Sequence, residues 1–435
     1  QESVAFLVAH NAPLDQYLMQ HPRYFFERSP ERAVVDPDNP HVVLGHLRAA
    51  VFELPLAVSE ERNFGPSAPA LLDLLAEDGQ IVLIGDRWYW RGQGKAYPAD
   101  DVSLRSGTER TYTIVDTTGG KNEVIGSTDE ISAFMQLHTE AVYLHNGETY
   151  FVSELDLVER VAYVHRADVD YYTQAITDQR IRIDEEQAQK VWRRSRMGFG
   201  DVSVTFVTFM FKKIRFDGRD SIGFGKVDLP PLPLETAGMW LVPPLDAFRA
   251  VREAGRSPSE GMLGLANVVA EVLPLFAMCD PSDIGAVVDS SNTGVPTLFL
   301  YDRYPGGVGF ASKAYELIEE VLTACCELIH ACECTGGCPS CVGAPIPPYV
   351  RGEADGDARG KVPDKEAALV ILHALLEREP YIPKARPAPG VEAPQLQGAP
   401  VVRPRSEPLP ERLELRLRKQ MQRLKESQGG NRRAH

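Results

Sequence analysis

The chain has 435 residues, 43% of them hydrophobic and 25% charged, which is enough for two to four domains with real cores. Its formal net charge of −15, from 46 Lys+Arg against 61 Asp+Glu, argues against general adhesion to nucleic acid by the whole surface while leaving room for a local basic groove. The opening residues QESVAFLVAH carry no basic stretch and only a short apolar run, and no segment suggests the roughly 20 apolar residues of a bilayer span, so a soluble cytoplasmic protein with no membrane partner is expected.

In chain order, Val4–Val8 reads as a short buried strand and Pro13–Phe26 as helical. After the turn Pro37–Pro40, HVVLGHLRAAVFELPL is an amphipathic helix with Val43, Leu47, Ala50, Val51 and Leu54 on one side. A second helix, PSAPALLDLLAED, has proline near its start, and IVLIGDRWYWRG then reads as a hairpin turning at Gly85–Asp86. Helix, helix and hairpin are the layout of a winged helix, expected over 37–97. Trp88, Tyr89 and Trp90 on the wing either touch nucleic acid or pack the hairpin onto the helices, and Trp88 is carried forward as a candidate contact.

Residues 98–180 alternate short β-rich runs with turns, including HNGETY with Asn146-Gly147 at a hairpin tip, and predict a small β-barrel. Past Ile183, DEEQAQKVWRR looks helical, and DVSVTFVTFMFKKIRF returns to strand. Two basic clusters have aromatic neighbours. One holds Lys190, Trp192, Arg193, Arg194 and Arg196, and the other holds Lys212, Lys213 and Arg215 beside Phe216. Such interleaving suits a groove that tracks a nucleic-acid backbone and stacks its bases; the alternative is an ordinary solvated face.

From Pro244 the pattern is helical again, through LGLANVVAEVLPLF, to the buried strand PTLFLYD. PGGVG follows and precedes a long helix; it is either an anion site or a tight packing corner, with Asp302 a site residue or a cap. Lys365–Glu377 is one more helix. Beyond Pro380 the chain becomes Pro/Ala/Gly-rich, and a basic helical tail follows, with ten basic and four acidic residues from Val401 onward.

Cys332, Cys334, Cys338 and Cys341, written CECTGGCPSC, crowd four thiols into ten residues with Gly336 and Gly337 at the bend. They can converge on one tetrahedral ion, and Zn2+ is the usual occupant of an all-sulfur site; a four-iron cluster is the competitor. With all four positions taken by sulfur, such zinc would be structural and would not activate water. His330 beside the cluster could substitute as a ligand. Cys325 lies on an apolar helical stripe with Ile318, Val321, Leu322 and Ile329, and Cys326 and Cys279 read as buried free thiols. No G-x-x-x-x-G-K-[ST] occurs, so nothing supports NTP hydrolysis by this chain.

Taken in order, PLDQYLMQHPRYFF, NPHVVLGHLRAAVFELPL, YLHNGETYFVSELDL, TLFLYDRYPGGVGF and CECTGGCPSC resemble the C-terminal half of MrfA-type (YprA-like) DEAD/DEAH-box DNA helicases of superfamily two. The resemblance runs from about residue 1 to about residue 380 and implies that residues 1–36 finish the second RecA-like motor domain and its connector. It also implies that the four cysteines are the metal ligands, and that 181–380 is the zinc-binding domain, followed by a Pro-rich linker and basic tail over 381–435. The fold expected is α+β and multidomain: a winged helix, a small β-barrel and a mixed α/β zinc-binding domain with a helical bundle. The implied activity is ATP-driven 3′-to-5′ unwinding in DNA repair, with no ATPase residue to carry over. Implied partners are single-stranded or 3′-tailed DNA, RecA-like motor domains in cis or as a separate chain, and a repair nuclease, in a nucleoid-associated setting. The alternatives are a stand-alone zinc-containing interaction module without nucleic-acid activity, or an enzyme using a pocket near Asp302.

Overall fold

The computed structural model describes residues 6–27, 34–92, 97–102, 110–216, 221–344 and 361–384. The expected Pro-rich linker and basic tail lie outside them, apart from the first few linker residues. Phe6, Leu7 and Val8 are irregular and exposed, not the buried strand that their apolar run suggested, because no described strand pairs with them. Helices α1 (Pro13–Gln20) and α2 (Arg23–Glu27) follow.

The winged helix is built from α3 (Pro40–Glu53), β1 (Leu56–Ala57), a 3-10 turn at Val58–Phe64, α4 (Ala68–Glu77), β2 (Ile81–Ile84) and β3 (Arg87–Trp90), with strand order β1-β3-β2. Asn39 starts α3 by accepting the His41 and Val42 N–H groups on its side-chain oxygen. Val43, Leu47 and Val51 pack on Leu72, Leu75, Ile81 and Trp88. Leu54 lies beyond the helix end and is exposed. Trp88 is buried, and its indole N–H donates to Glu61 Oε1 at 2.6 Å. The expected contact of Trp88 with nucleic acid is therefore corrected: its ring fastens the wing to the domain core.

Next come β4 (Thr111–Asp116), β5 (Glu123–Asp129), α5 (Glu130–Gln136), β6 (Val142–His145), β7 (Glu148–Asp156) and β8 (Val161–Arg166). They form a half-barrel of order β5-β4-β8-β7-β6, in which β4 and β8 are parallel. Asn146 and Gly147 have φ of 49° and 81°, as the tight hairpin requires. Helix α5 was not foreseen; Asp129 nucleates it by accepting the Ser132 N–H at 2.9 Å.

The third region opens with two long strands, β9 (Tyr171–Trp192) and β10 (Ser195–Arg215), antiparallel along their whole length. The helix expected at DEEQAQKVWRR is strand. Its residues are good helix formers, but pairing with Met197–Val202 outweighs that local preference. The boundary expected at residue 180 falls inside β9. The sheet continues through β11 (Ser221–Lys226), β12 (Leu232–Val242), β13 (Ile284–Asp289) and β14 (Thr297–Asp302), in the order β11-β10-β12-β14-β13. Gly198 lies beneath the Trp240 indole, where a Cβ would come within 2.2 Å of the ring. At the sheet's far side, the Asn292 amide bonds Ile183 N–H and Ile181 carbonyl, joining the β13–β14 connection to the free edge of β9.

Helices α6 (Leu245–Glu253), α7 (Pro258–Val272), α8 (Pro274–Ala277), α9 (Phe310–Ala331), α10 (Pro339–Val342) and α11 (Lys365–Leu375) cover one face of this sheet. Met197, Met239, Leu241, Leu298 and Leu300 meet them there. The other face, with Val202, Val204, Phe206, Trp240 and Tyr301, shares a core with the half-barrel residues Tyr112, Phe134 and Val152. The run Pro258–Ala277 is long and apolar enough to span a bilayer, contrary to the expectation of none, but it is mostly buried inside this helical layer. The α+β multidomain architecture stands as expected.

Candidate metal centre and nucleic-acid surface

Helix α9 delivers the metal centre. It is 22 residues long and ends at Ala331, where the chain turns and places Cys332 and Cys334 opposite Cys338 and Cys341, which flank the start of α10. Gly337 makes the turn at φ 127°, and a Cβ there would lie 2.5 Å from the Pro363 carbonyl oxygen. The sulfurs of Cys332 and Cys338 are 3.5 Å apart, those of Cys334 and Cys341 3.5 Å, and those of Cys338 and Cys341 3.7 Å. All four lie within 4.8 Å of one another. A tetrahedral zinc with Zn–S of about 2.3 Å needs sulfurs about 3.8 Å apart, so the donor set fits one ion. A cluster would hold the thiolates on separate irons and farther apart. Hydrogen bonding among the thiols holds the Cys338 thiol well below its usual pKa and pushes those of Cys334 and Cys341 up, so it favours one thiolate and not all four.

The surroundings complete the site. Lys365 is buried, and its ammonium donates to the Cys332 and Cys334 carbonyls, at 2.5 and 3.2 Å, while its own N–H donates to the Gly336 carbonyl. A buried cation against four thiolates offsets the negative charge left after a divalent ion binds. Asp364 caps α11 through the Glu366 and Ala367 N–H groups and forms a buried ion pair with Arg256 at 2.7 Å. Sequence reasoning missed Lys365 and Asp364, although Asp364 ahead of KEAALV is a legible N-cap signal. His330 does not join the four thiols; its Nε2 lies 2.8 Å from His373 Nε2 on α11.

Asp302 is fully buried. Its carboxylate accepts N–H groups of Val308, Gly309, Phe310 and Ala311 at 2.6–3.2 Å. Burial pushes its pKa up while these four bonds pull it down. The donors at the start of α9 are thus occupied by the chain's own carboxylate. PGGVG is a capped corner whose N–H groups are turned to Asp302 and not to an external anion.

The two basic clusters do not meet. Lys190–Arg196 lies at the turn of the long hairpin, and Lys212–Arg215 lies sixteen residues farther along β10 from Arg196. That separation is roughly 50 Å at about 3.3 Å per residue. The two clusters therefore occupy separate ends of the long hairpin. At the turn, Lys190 donates to the Tyr315 carbonyl and sits 4.0 Å from its ring centre. Arg193 donates to Glu319 at 2.6 Å and to the Leu376 carbonyl at 2.9 Å, and it holds the Glu319 carboxyl below its usual pKa. Arg194 pairs with Asp246. Trp192 is half-buried against the helical core. The adjoining cleft, about 550 Å³, is lined by Glu316, Glu319, Glu320 and Glu327, which would repel phosphate. Arg196 is exposed beside a second cleft of about 280 Å³ that also holds Glu186.

The far end differs. Lys212 stands opposite Phe224 and so shares its face of the sheet. Phe216 and Phe224 are exposed at 44% and 45%, and Tyr172 lies 5.7 Å from Phe216, ring to ring. On the other face Lys213 sits 5.6 Å from the Tyr171 ring. Arg215 has a loose partner in Asp170 at 3.9 Å. The winged helix offers less. Helix α4, APALLDLLAE, contains Asp73 and Glu77 and no Lys or Arg.

Two families match parts of the chain: the winged helix domain of ATP-dependent helicase HRQ1 over residues 35–107, and MZB, the MrfA Zn-binding domain, over residues 265–342. The chain is 37% identical to the uncharacterized ATP-dependent helicase YprA of Bacillus subtilis over 79% of its own length and 46% of that protein. It is 25% identical to the ATP-dependent helicase HRQ1 of Saccharomyces cerevisiae, over 91% of this chain and 37% of that one. Among solved structures it resembles the DUF1998 helicase MrfA at 33% identity, with TM-score 0.56, over 77% of this chain and 47% of that one. The chain spans less than half the length of each of these relatives.

Proposed function

We propose that this chain, which carries the winged-helix and Zn-binding domains of the MrfA- and Hrq1-type helicases, is the accessory region of an ATP-dependent 3′-to-5′ DNA helicase used in DNA repair. In this reading it grips single-stranded or 3′-tailed DNA beside RecA-like motor domains, joined in cis or supplied as a separate chain, and works with a repair nuclease in the nucleoid. Residues 1–36 would finish the second RecA-like motor domain and its connector, 37–97 would form the winged helix, the β-module would start at about 98, and the zinc-binding domain would start with β9 at Tyr171, earlier than the expected 181, and run to about 380. The observation that carries the reading is the order of parts: an Hrq1-type winged helix followed by an MrfA-type zinc-binding domain, within a match to a helicase at 37% identity.

Two features support particular roles. The far end of the β9–β10 hairpin combines Lys212, Lys213 and Arg215 with exposed aromatic rings, the makings of a stacking platform for single strands. Helix α4 lacks the cations that hold a reading helix in the major groove, which favours a winged helix that wedges a duplex junction or docks on a motor domain over one that reads sequence. Exposed Phe6, Leu7, Val8 and Phe26 supply an apolar surface for such docking. The zinc would be structural, held by Cys332, Cys334, Cys338 and Cys341.

The test is binding of the purified chain to a 3′-tailed oligonucleotide across a salt series. Affinity that falls steeply as salt rises, and that favours the tailed over the blunt duplex, is the expected result. No binding at low salt would leave the interaction-module reading in its place.

A further inference from the structure

One cluster of metal-binding side chains lies outside the four-cysteine centre. Cys326 and His330 are four residues apart on α9 and so share a face of the helix. His373 reaches them from α11. The Cys326 sulfur and one nitrogen from each ring lie within 4.8 Å of one another. Sequence spacing alone left Cys326 without a partner, because His373 is 47 positions away in the chain and only the packing of α11 on α9 brings it close.

The orientation of the rings is informative. His373 Nδ1 lies 2.7 Å from the Glu379 carbonyl, which can only accept, so this nitrogen carries the proton and Nε2 keeps its lone pair. That lone pair faces His330 Nε2 at 2.8 Å. Two imidazole nitrogens so placed share a single proton or a metal ion. A neutral pair of rings accounts for the two histidines, and the Cys326 sulfur adds a third donor within 4.8 Å. Tyr381 packs against both rings, at 5.5 and 5.3 Å between centres, and is itself held by a hydrogen bond to Glu366 at 2.9 Å. Burial pushes the Cys326 thiol up, and Arg378, which donates to its sulfur at 3.4 Å, offsets part of that rise. Cys326 and His373 thus each have a hydrogen-bonded outer partner, and His330 is held by packing against Tyr381.

We infer that Cys326, His330 and His373 form a second Zn2+ site, with one sulfur and two nitrogen ligands and a fourth position left to water on the exposed His330 side. The donor set is of borderline softness and suits zinc. The nitrogens need separate by only about half an ångström to reach the spacing of about 3.3 Å that Zn–N bonds near 2.0 Å require. The ion would tie the last turns of α9 to the end of α11. The four-thiolate centre braces the same two helices through Lys365, so the two ions would act on one joint.

The test uses the untagged full chain, titrated with zinc against a chelator of micromolar affinity, with cobalt absorption as a second readout. Two ions per chain are expected, only one of them with a four-thiolate cobalt spectrum. His330→Gln and His373→Gln change exposed or half-buried side chains, so circular dichroism should remain that of the parent. Each should bind one ion and retain the four-thiolate spectrum. Binding of one ion by the unaltered chain at micromolar free zinc would overturn the inference, as would two ions retained in both variants.

Discussion

The two ends of the β9–β10 hairpin are both basic in sequence and differ in structure. At the turn, Lys190, Arg193 and Arg194 meet a carbonyl, an aromatic ring and carboxylates from α6, α9 and the end of α11, so their charge serves to fasten the hairpin to the helical layer. At the far end, Lys212 lies opposite the exposed Phe224, Lys213 lies beside the Tyr171 ring, and Arg215 is 3.9 Å from Asp170. A run of cations acquires a role only from what folds against it.

Several measurements would break or sharpen that contrast. The largest effect should come from Cys338→Ser, which removes one of the four ligands at the end of α9, the helix to which the turn is fastened. It should release the ion and cost several kcal/mol, by analogy with structural zinc elsewhere. Elemental analysis and thermal melting check it, and hydrogen exchange should rise in α9 and α11 more than in the far half of the hairpin. Unchanged metal content would remove the ligand assignment. Next, reversing Lys212, Lys213 and Arg215 to Glu should weaken single-strand binding at least tenfold and reduce the slope of log K against log salt by about 2, at about 0.7 per lost phosphate contact. Equal slopes would take that surface out of the path.

Arg193→Ala should lower stability by about 1 kcal/mol, because it removes a partly exposed ion pair and a carbonyl contact. It should leave oligonucleotide affinity within a factor of two. A large loss of affinity with unchanged melting would return the turn to the binding surface. The smallest effect concerns the footing of the far end, where His138 is buried against Phe211 with ring centres 4.7 Å apart. Burial lowers its pKa below 6.5, so the unfolded chain takes up the proton first. Stability should therefore fall as pH drops below about 6.5, then level off once the folded form also protonates. In urea melts at pH 7.5 and 5.5, His138→Phe should show a smaller acid loss than the parent; equal losses would assign the effect to other groups.

Much of the fold was legible because local rules and tertiary packing agreed. Val43, Leu47 and Val51 repeat at helical spacing and are buried. Asn146-Gly147 demanded a tight hairpin and made one. The four cysteines were legible because they lie within one loop. Failures arose where distant pairing decided the outcome. DEEQAQKVWRR has the composition of a helix and becomes a strand because β10 offers it a full ladder. Lys190–Arg196 looked like a groove because Glu319 and Asp246 are far away in the chain. Trp88 looked available because its partner Glu61 lies 27 residues earlier.

The Asn39 side chain, besides starting α3, donates to the carbonyls of Pro305 and Gly307 in the corner that launches α9. From that corner α9 runs 22 residues, about 33 Å, straight to the thiolates. The winged helix and the metal thus sit at opposite ends of one rigid strut. The Asn39 amide, with His41 and Val34 beside the same corner, ties the start of the winged helix to the helix that carries the thiolates.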